Sequence, residues 1–216
     1  MKKFIVFEGL DGSGKTTQVK LLANSLKKIK KDFFLTREPG GTPISEMIRD
    51  ILVQKKKSEI SPYTELLLIY AARYEHVKKK IIPNLRKKIV ICDRFFYSTY
   101  CYQIFANKIP IAHLNYLHKH FGFNLFPDLN ILINTNPNVS IKRSLKIKKL
   151  ENRFEKKSKI FHKSVHTAFQ NLSKKKKVVE FNGNENEKEL HIKIIDYVNK
   201  RKIFGFFLPY SFGKNK

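Results

Sequence analysis

The stretch Gly9-Leu-Asp-Gly-Ser-Gly-Lys-Thr16 has the residue types and spacing to do chemistry. It fits the phosphate-binding pattern G-x-x-x-x-G-K-[ST] at every fixed position. The apolar, β-prone run Lys3 to Phe7 precedes it. After it, Val19, Leu22, Ala23 and Leu26 recur at the spacing of one helix face. Strand, glycine loop and helix together form the context that such a loop requires. A triphosphate is polyanionic and needs the backbone close by. Gly9, Gly12 and Gly14 lack a Cβ and can turn their N–H groups inward. The helix N-terminus adds unpaired N–H groups and a positive dipole end. Lys15 can reach β- and γ-phosphates, and the Thr16 hydroxyl can ligate Mg²⁺. The whole loop, with Leu10, Asp11 and Ser13 in its variable places, is expected to wrap ATP. This specifies a nucleotide but not a reaction.

Three further cations stand where an anion could need them. Arg37 opens Arg37-Glu-Pro-Gly-Gly-Thr-Pro43, a loop by its two prolines and two glycines. It reads either as a phosphate fork or as a solvated arginine. Arg73 directly follows the apolar run Leu66 to Ala72, so it enters the interior edge with an anion for partner. Asp93-Arg94 ends the apolar strand Ile89 to Cys92. The acid can hold a metal-bound water and the arginine can fork a phosphate; a structural ion pair is the alternative.

The elements that position these groups alternate. Strands are expected at Phe33–Thr36, Ile89–Cys92, Leu129–Asn134 and Val178–Phe181, besides the first. Helices are expected at Ile44–Val53, Tyr63 to about Ile82, Ile111–His120, Ile160–Leu172 and Glu187–Lys200. Pro83 ends or kinks the long one, Ser98 and Thr99 lie near the start of another, and Pro137 opens a further one. Ile44, Met47, Ile48, Ile51 and Leu52 share one side of their helix. Such alternation predicts a doubly wound α/β domain of about five parallel strands with helices on both faces. The apolar tail Ile203 to Tyr210 is too short to span a bilayer and is expected to pack back on the body.

At 216 residues and 42% hydrophobic content, one globular domain is the natural expectation. The formal net charge of +26 raises nucleic acid or an anionic membrane as partners. Lysine is spread along the chain, alongside abundant Ile, Asn and Phe. Compositional drift with nucleotide attraction therefore explains it better than a built nucleic-acid surface. Cys92 and Cys101 form neither a metal-spaced cluster nor a disulfide framework, which fits a reducing cytoplasm. Glu8 and Asp11 interrupt the first apolar run, unlike a secretion signal. No stretch approaches the ~18 apolar residues of a membrane helix. The histidine pairs, such as His162 and His166, lack the companions of a zinc site.

The order of these pieces resembles the bacterial thymidylate kinase family. The matching stretches are Phe7–Gln18, Thr36–Thr42, Tyr70-Ala-Ala-Arg73, Asp93-Arg-Phe95, Ser98-Thr99 with Tyr102-Gln103, Pro127-Asp128 and Asn152-Arg-Phe-Glu155. The likeness implies a kinase body over 1–201 with a lid at about 143–155, followed by a tail over 202–216. It also implies transfer of the ATP γ-phosphoryl group to dTMP with Mg²⁺, in a homodimer. By the same likeness Asp11 meets the acceptor's 3′-hydroxyl, and Arg37, Arg73 and Arg94 grip its phosphate. Ser98, Thr99 and Gln103 line the pocket around base and sugar. Asp93 helps position Mg²⁺, and the lid's Arg153 meets transition-state charge. Ile69 occupies a place that is commonly aromatic in the family, with Tyr70 beside it. Either Ile69 offers the base an apolar face or the helix presents Tyr70. Two rival readings remain: another P-loop kinase acting on a deoxynucleoside or a different nucleoside monophosphate, and a nucleic-acid-binding NTPase.

Overall fold

The computed structural model describes residues 3–53, 59–147, 153–154, 157–175 and 177–212. Five strands form one parallel sheet: β1 (Phe4–Gly9), β2 (Phe33–Arg37), β3 (Ile89–Asp93), β4 (Leu129–Asn134) and β5 (Val178–Asn182), in the order β2-β3-β1-β4-β5. β1 is central, with Phe7 paired to Asp93 of β3 and Gly9 paired to Ile133 of β4. The chain winds from β1 towards β2 and β3, then crosses back to β4. Its direction therefore switches beside the C-terminal end of β1, where a crevice opens in such sheets.

The strand pleat sends alternate side chains to opposite faces. Ile5 and Phe7 pack with Leu22 and Leu26 of α1 (Lys15–Lys28) and with Ile194 and Val198 of α9 (Glu187–Lys200). Phe4 and Val6 pack on the other face with Leu66 and Tyr70 of α3 (Pro62–His76) and Leu114 of α6 (Ile111–Phe121). A third cluster joins Leu132 to Phe161, Val165 and Phe169 of α8 (Lys159–Leu172). The remaining helices are α2 (Pro43–Val53), α4 (Ile82–Leu85), α5 (Phe96–Thr99) and α7 (Pro137–Ile147).

Pro83 does not end the long helical run, which continues to Leu85. A π-helical turn at Val77–Ile81 separates α3 from α4, and Pro83 falls in the first turn of α4. The Ile82 N–H just before it still donates to the Val77 carbonyl, so the π-helical turn feeds α4 without a break. A second π-helical segment, Tyr100–Phe105, follows α5, whose start at Phe96 precedes the expected one. α2 differs in its facing. Ser45, Leu52 and Val53 are its buried residues, whereas Ile44, Met47 and Ile51 are exposed. The tail lies on the body, with Phe204 and Leu208 buried in the α1/α9 core. The Asn199 amide closes it by bonding both the N–H and the carbonyl of Leu208, at 2.8 and 2.9 Å.

Candidate active site

The phosphate loop joins β1 to α1 at the switch point. Gly9, Gly12 and Gly14 have φ of +141°, +76° and +99°, backbone that an L side chain resists. Lys15 Nζ donates to the Leu10 carbonyl at 2.6 Å within the loop. The Thr16 hydroxyl donates to Asp93 Oδ2 at 2.6 Å. That pair of hard oxygen donors, one a carboxylate, suits Mg²⁺, which keeps several waters and takes few protein ligands. Arg143 of α7 and Gly183, Glu185 and Asn186 after β5 line the same cleft.

A second cleft adjoins it, lined by Ile69, Arg73, Phe95, Ser98, Thr99, Tyr102, Gln103 and Phe154. Asp11, Glu38, Arg49 and Arg94 line both clefts and so stand where they meet. Arg94 is the hub of that junction. Its Nη1 donates to the Gly9 carbonyl and to Ser98 Oγ, both at 2.9 Å, and its Nη2 donates to Asp11 Oδ1 at 2.8 Å. Burial opposes its charge, but Asp11 first, then Tyr102 and Asp93, raise its pKa well above the ordinary value. Beneath it lies Glu8, buried in β1. This carboxylate accepts from the Ser98 hydroxyl and, at 3.1 Å, from the Phe95 N–H. Burial outweighs those bonds and the Arg94 charge, so the Glu8 pKa is raised.

Arg73 is only 2% exposed. Its Nε donates to Glu38 Oε2 at 2.7 Å and its Nη2 to Thr99 Oγ1 at 2.9 Å. The guanidinium lies between the rings of Tyr70 and Phe95, 4.8 and 4.7 Å from their centroids. Among the described residues its buried Nη1 has no hydrogen-bond partner. His76 Nδ1 is 3.0 Å from Glu38 Oε1 and its Nε2 is 2.6 Å from Thr36 Oγ1. Burial would raise Glu38, but Arg73 and then His76 reverse that and leave its pKa lowered. The buried charge of Arg73 is thus matched within the protein, and its Nη1 group is left for a ligand.

The structure brings the loop, Asp93, Arg94, Ser98, Thr99, Gln103, Ile69 and Arg73 around the two clefts. Two other expected residues stand differently. Arg37 is 54% exposed at its side chain and bonds Glu46 at 2.9 Å, lining the loop cleft but not the second one. Arg153 does not reach the phosphate loop. Glu65, a buried carboxylate of α3, holds its Nη2, and the Leu52 carbonyl accepts from its Nη1 at 2.9 Å. An anion already desolvated by the fold is the nearer attraction for that guanidinium. Of the rest of the expected lid, 148–152 and 155 lie outside the described residues. Between Ile69 and Tyr70 the helix presents Ile69 to the pocket, while the Tyr70 hydroxyl sits 3.3 Å from His118 Nδ1 in the core.

Arg49, Glu8 and Glu38 escaped the sequence reading. Arg49 lies in a helix where only the apolar spacing carries a signal. The signal available for Glu8 was an acid inside an otherwise apolar strand.

A phosphate loop at the switch point, joined through a shared arginine to a second, partly apolar cleft, defines a P-loop kinase of nucleotide phosphates. Comparison with known proteins narrows the class. The family model "Thymidylate kinase" matches residues 7–194, and the chain belongs to that family. A curated thymidylate kinase from Orientia tsutsugamushi is 42% identical over 208 residues, covering 92% of this chain and 94% of the relative. One from Thermoanaerobacter sp. is 39% identical over 201 residues, covering 92% and 98%. The crystal structure of thymidylate kinase from Ehrlichia chaffeensis superposes with a TM-score of 0.73 at 33% identity, covering 91% of this chain and 98% of that one.

Proposed function

We propose that the chain transfers the γ-phosphoryl group of ATP to dTMP, giving dTDP and ADP. The observation that carries this is the junction of the clefts, where Arg94, Arg49 and Asp11 border both. ATP lies along the loop with its γ-phosphate at the junction, and dTMP enters the second cleft phosphate first. A phosphate oxygen of dTMP forms the new bond to Pγ as the bond to the β,γ-bridging oxygen breaks. The nucleophile is already anionic, so no general base is needed.

Lys15 leaves the Leu10 carbonyl for the β- and γ-phosphates, and Arg94, at the junction, grips the acceptor phosphate. Arg49 is assigned to the acceptor phosphate, a place that Arg37, paired with Glu46 and lining only the loop cleft, fits less well. Arg73 lines only the acceptor cleft, so its spare Nη1 serves the base and sugar end, beside Ile69, Thr99 and Gln103. Thr16 and Asp93 would hold Mg²⁺, which would neutralise charge on the transferring phosphates.

The exposed apolar residues Ile44 and Met47 of α2, Leu67 of α3 and Tyr116 of α6 support a homodimer through these helices. Both cysteines are buried free thiols, which supports a cytoplasmic setting. Among the described residues no helix is long and apolar enough to cross a membrane.

A coupled assay presenting each nucleoside monophosphate in turn with MgATP tests the reading. dTMP should be the preferred acceptor. Turnover of another monophosphate in its place, or of thymidine itself, would refute it.

A further inference from the structure

Glu65 takes no part in the transfer as described, yet it is completely buried and three polar side chains converge on it. It sits in the first turn of α3 with 0% exposure. Gln103 Nε2 donates to its Oε2 at 3.3 Å. Its other oxygen takes the Arg153 guanidinium and, at 3.4 Å, the Lys157 ammonium. Gln103 and Phe154, the neighbour of Arg153, both line the acceptor cleft.

We propose that Glu65 is a positioning residue for the acceptor, fixing two parts of the pocket wall through a single carboxylate. The inference rests on reading this cleft as the acceptor pocket. On one side, the carboxylate claims the amide nitrogen of Gln103. The Gln103 carbonyl oxygen is then what remains to offer the cleft, an acceptor suited to an N–H of the bound base. On the other side, Glu65 anchors Arg153, whose N–H also donates to the Val53 carbonyl at 3.3 Å. That anchorage holds the Phe154 ring edge-on to Tyr102, with centroids 5.8 Å apart. Without the Glu65 charge, Arg153 loses the ion pair that holds it, and the Gln103 amide is free to turn over. Among the described residues the donor cleft shares none of these groups, so the effect belongs to the acceptor.

The test measures KM for dTMP and for ATP separately in Glu65→Gln, Arg153→Gln and the double variant, with thermal melts to establish folding. Each single change should raise the KM for dTMP about ten- to a hundredfold, the size of a lost charge-assisted hydrogen bond. The KM for ATP should stay within about twofold. The double variant should be no worse than the poorer single one, because both remove one interaction. Equal rises in both constants, an unchanged KM for dTMP, or fully additive losses would overturn the proposal. Should Glu65→Gln not fold, Arg153→Gln alone reads the same wall, its side chain being 14% exposed. Failure here is separable from failure of the function, since the unaltered enzyme's use of dTMP decides the latter.

Discussion

Lys15 and Arg94 answer to different halves of the reaction, which makes their variants diagnostic. Lys15 is held by the loop that would hold ATP, and its removal takes a charge from the transferring phosphates. Lys15→Ala should lower kcat by about a hundredfold or more, with an unchanged melting temperature. A folded variant with near-normal turnover would refute the loop assignment. Arg94 has φ of +72°, strain of roughly 1–2 kcal/mol for a residue with a Cβ. Its N–H bond to the Phe7 carbonyl at 2.9 Å and its guanidinium contacts hold it there. Arg94→Ala should raise the KM for dTMP far more than that for ATP in steady-state kinetics. Equal loss of both would assign Arg94 to the donor or to the fold. These two residues were legible because adjacent residues carry their meaning. Glu8, Arg49 and Glu65 were not, because each acquires its role from partners far along the chain. Glu65 in sequence is only an acid in a helix's first turn, where any carboxylate is favoured.

At the scale of elements, the loop works because α7 presses against it. A Cβ on Gly12 would lie 2.1 Å from the Ser140 carbonyl oxygen and 2.9 Å from the Ser144 nitrogen. Ser140 Oγ also donates to the Asp11 carbonyl at 2.7 Å. One methyl group at Gly12 therefore displaces the loop, α7 and its Arg143 together. At Gly14 a Cβ would meet nothing within 4 Å, although φ is again positive. Gly12→Ala should weaken ATP binding by about tenfold or more, the scale of overpacking. Gly14→Ala should lose less, the two being compared by calorimetric titration with MgATP. The reverse order would mean that backbone strain, not the α7 contact, sets the loop. The glycine spacing announced the loop, but nothing in it announced α7. The strands were legible from their apolar runs. The π-helical turns were not, because their cause is the fit of neighbouring elements rather than local preference. The facing of α2 misled for the same reason: its apolar stripe is real, but among the described residues Ile44, Met47 and Ile51 stay exposed.

Across the whole molecule, the tail ties the last helix to the first, and a histidine fastens it. His191 Nε2 accepts from the Ser211 N–H at 3.2 Å and lies 3.3 Å from Ser25 Oγ of α1. Lys28 Nζ also donates to the Tyr210 carbonyl at 3.0 Å. A backbone N–H can only donate, so this contact requires a neutral imidazole with Nε2 unprotonated. Burial, then the Lys28 charge, push His191 from 6.5 down to about 4. Between those values the unfolded chain binds the proton and the folded chain does not. Its contribution is therefore complete above pH 6.5 and is lost progressively as the pH falls towards 4. His118, pushed to about 4 by burial and then by Arg73, adds a slope of the same sign. Glu8, with its raised pKa, gives the opposite slope just above the ordinary carboxylate value. The difference between two chains isolates the tail from both. Urea unfolding at pH 7 and pH 5 should show the unaltered protein losing more stability than His191→Asn, which cannot take up that proton. The tail should also become open to carboxypeptidase at pH 5 in the unaltered protein. Parallel losses in the two chains, with the tail equally protected at both pH values, would mean that Phe204 and Leu208 hold it without the histidine.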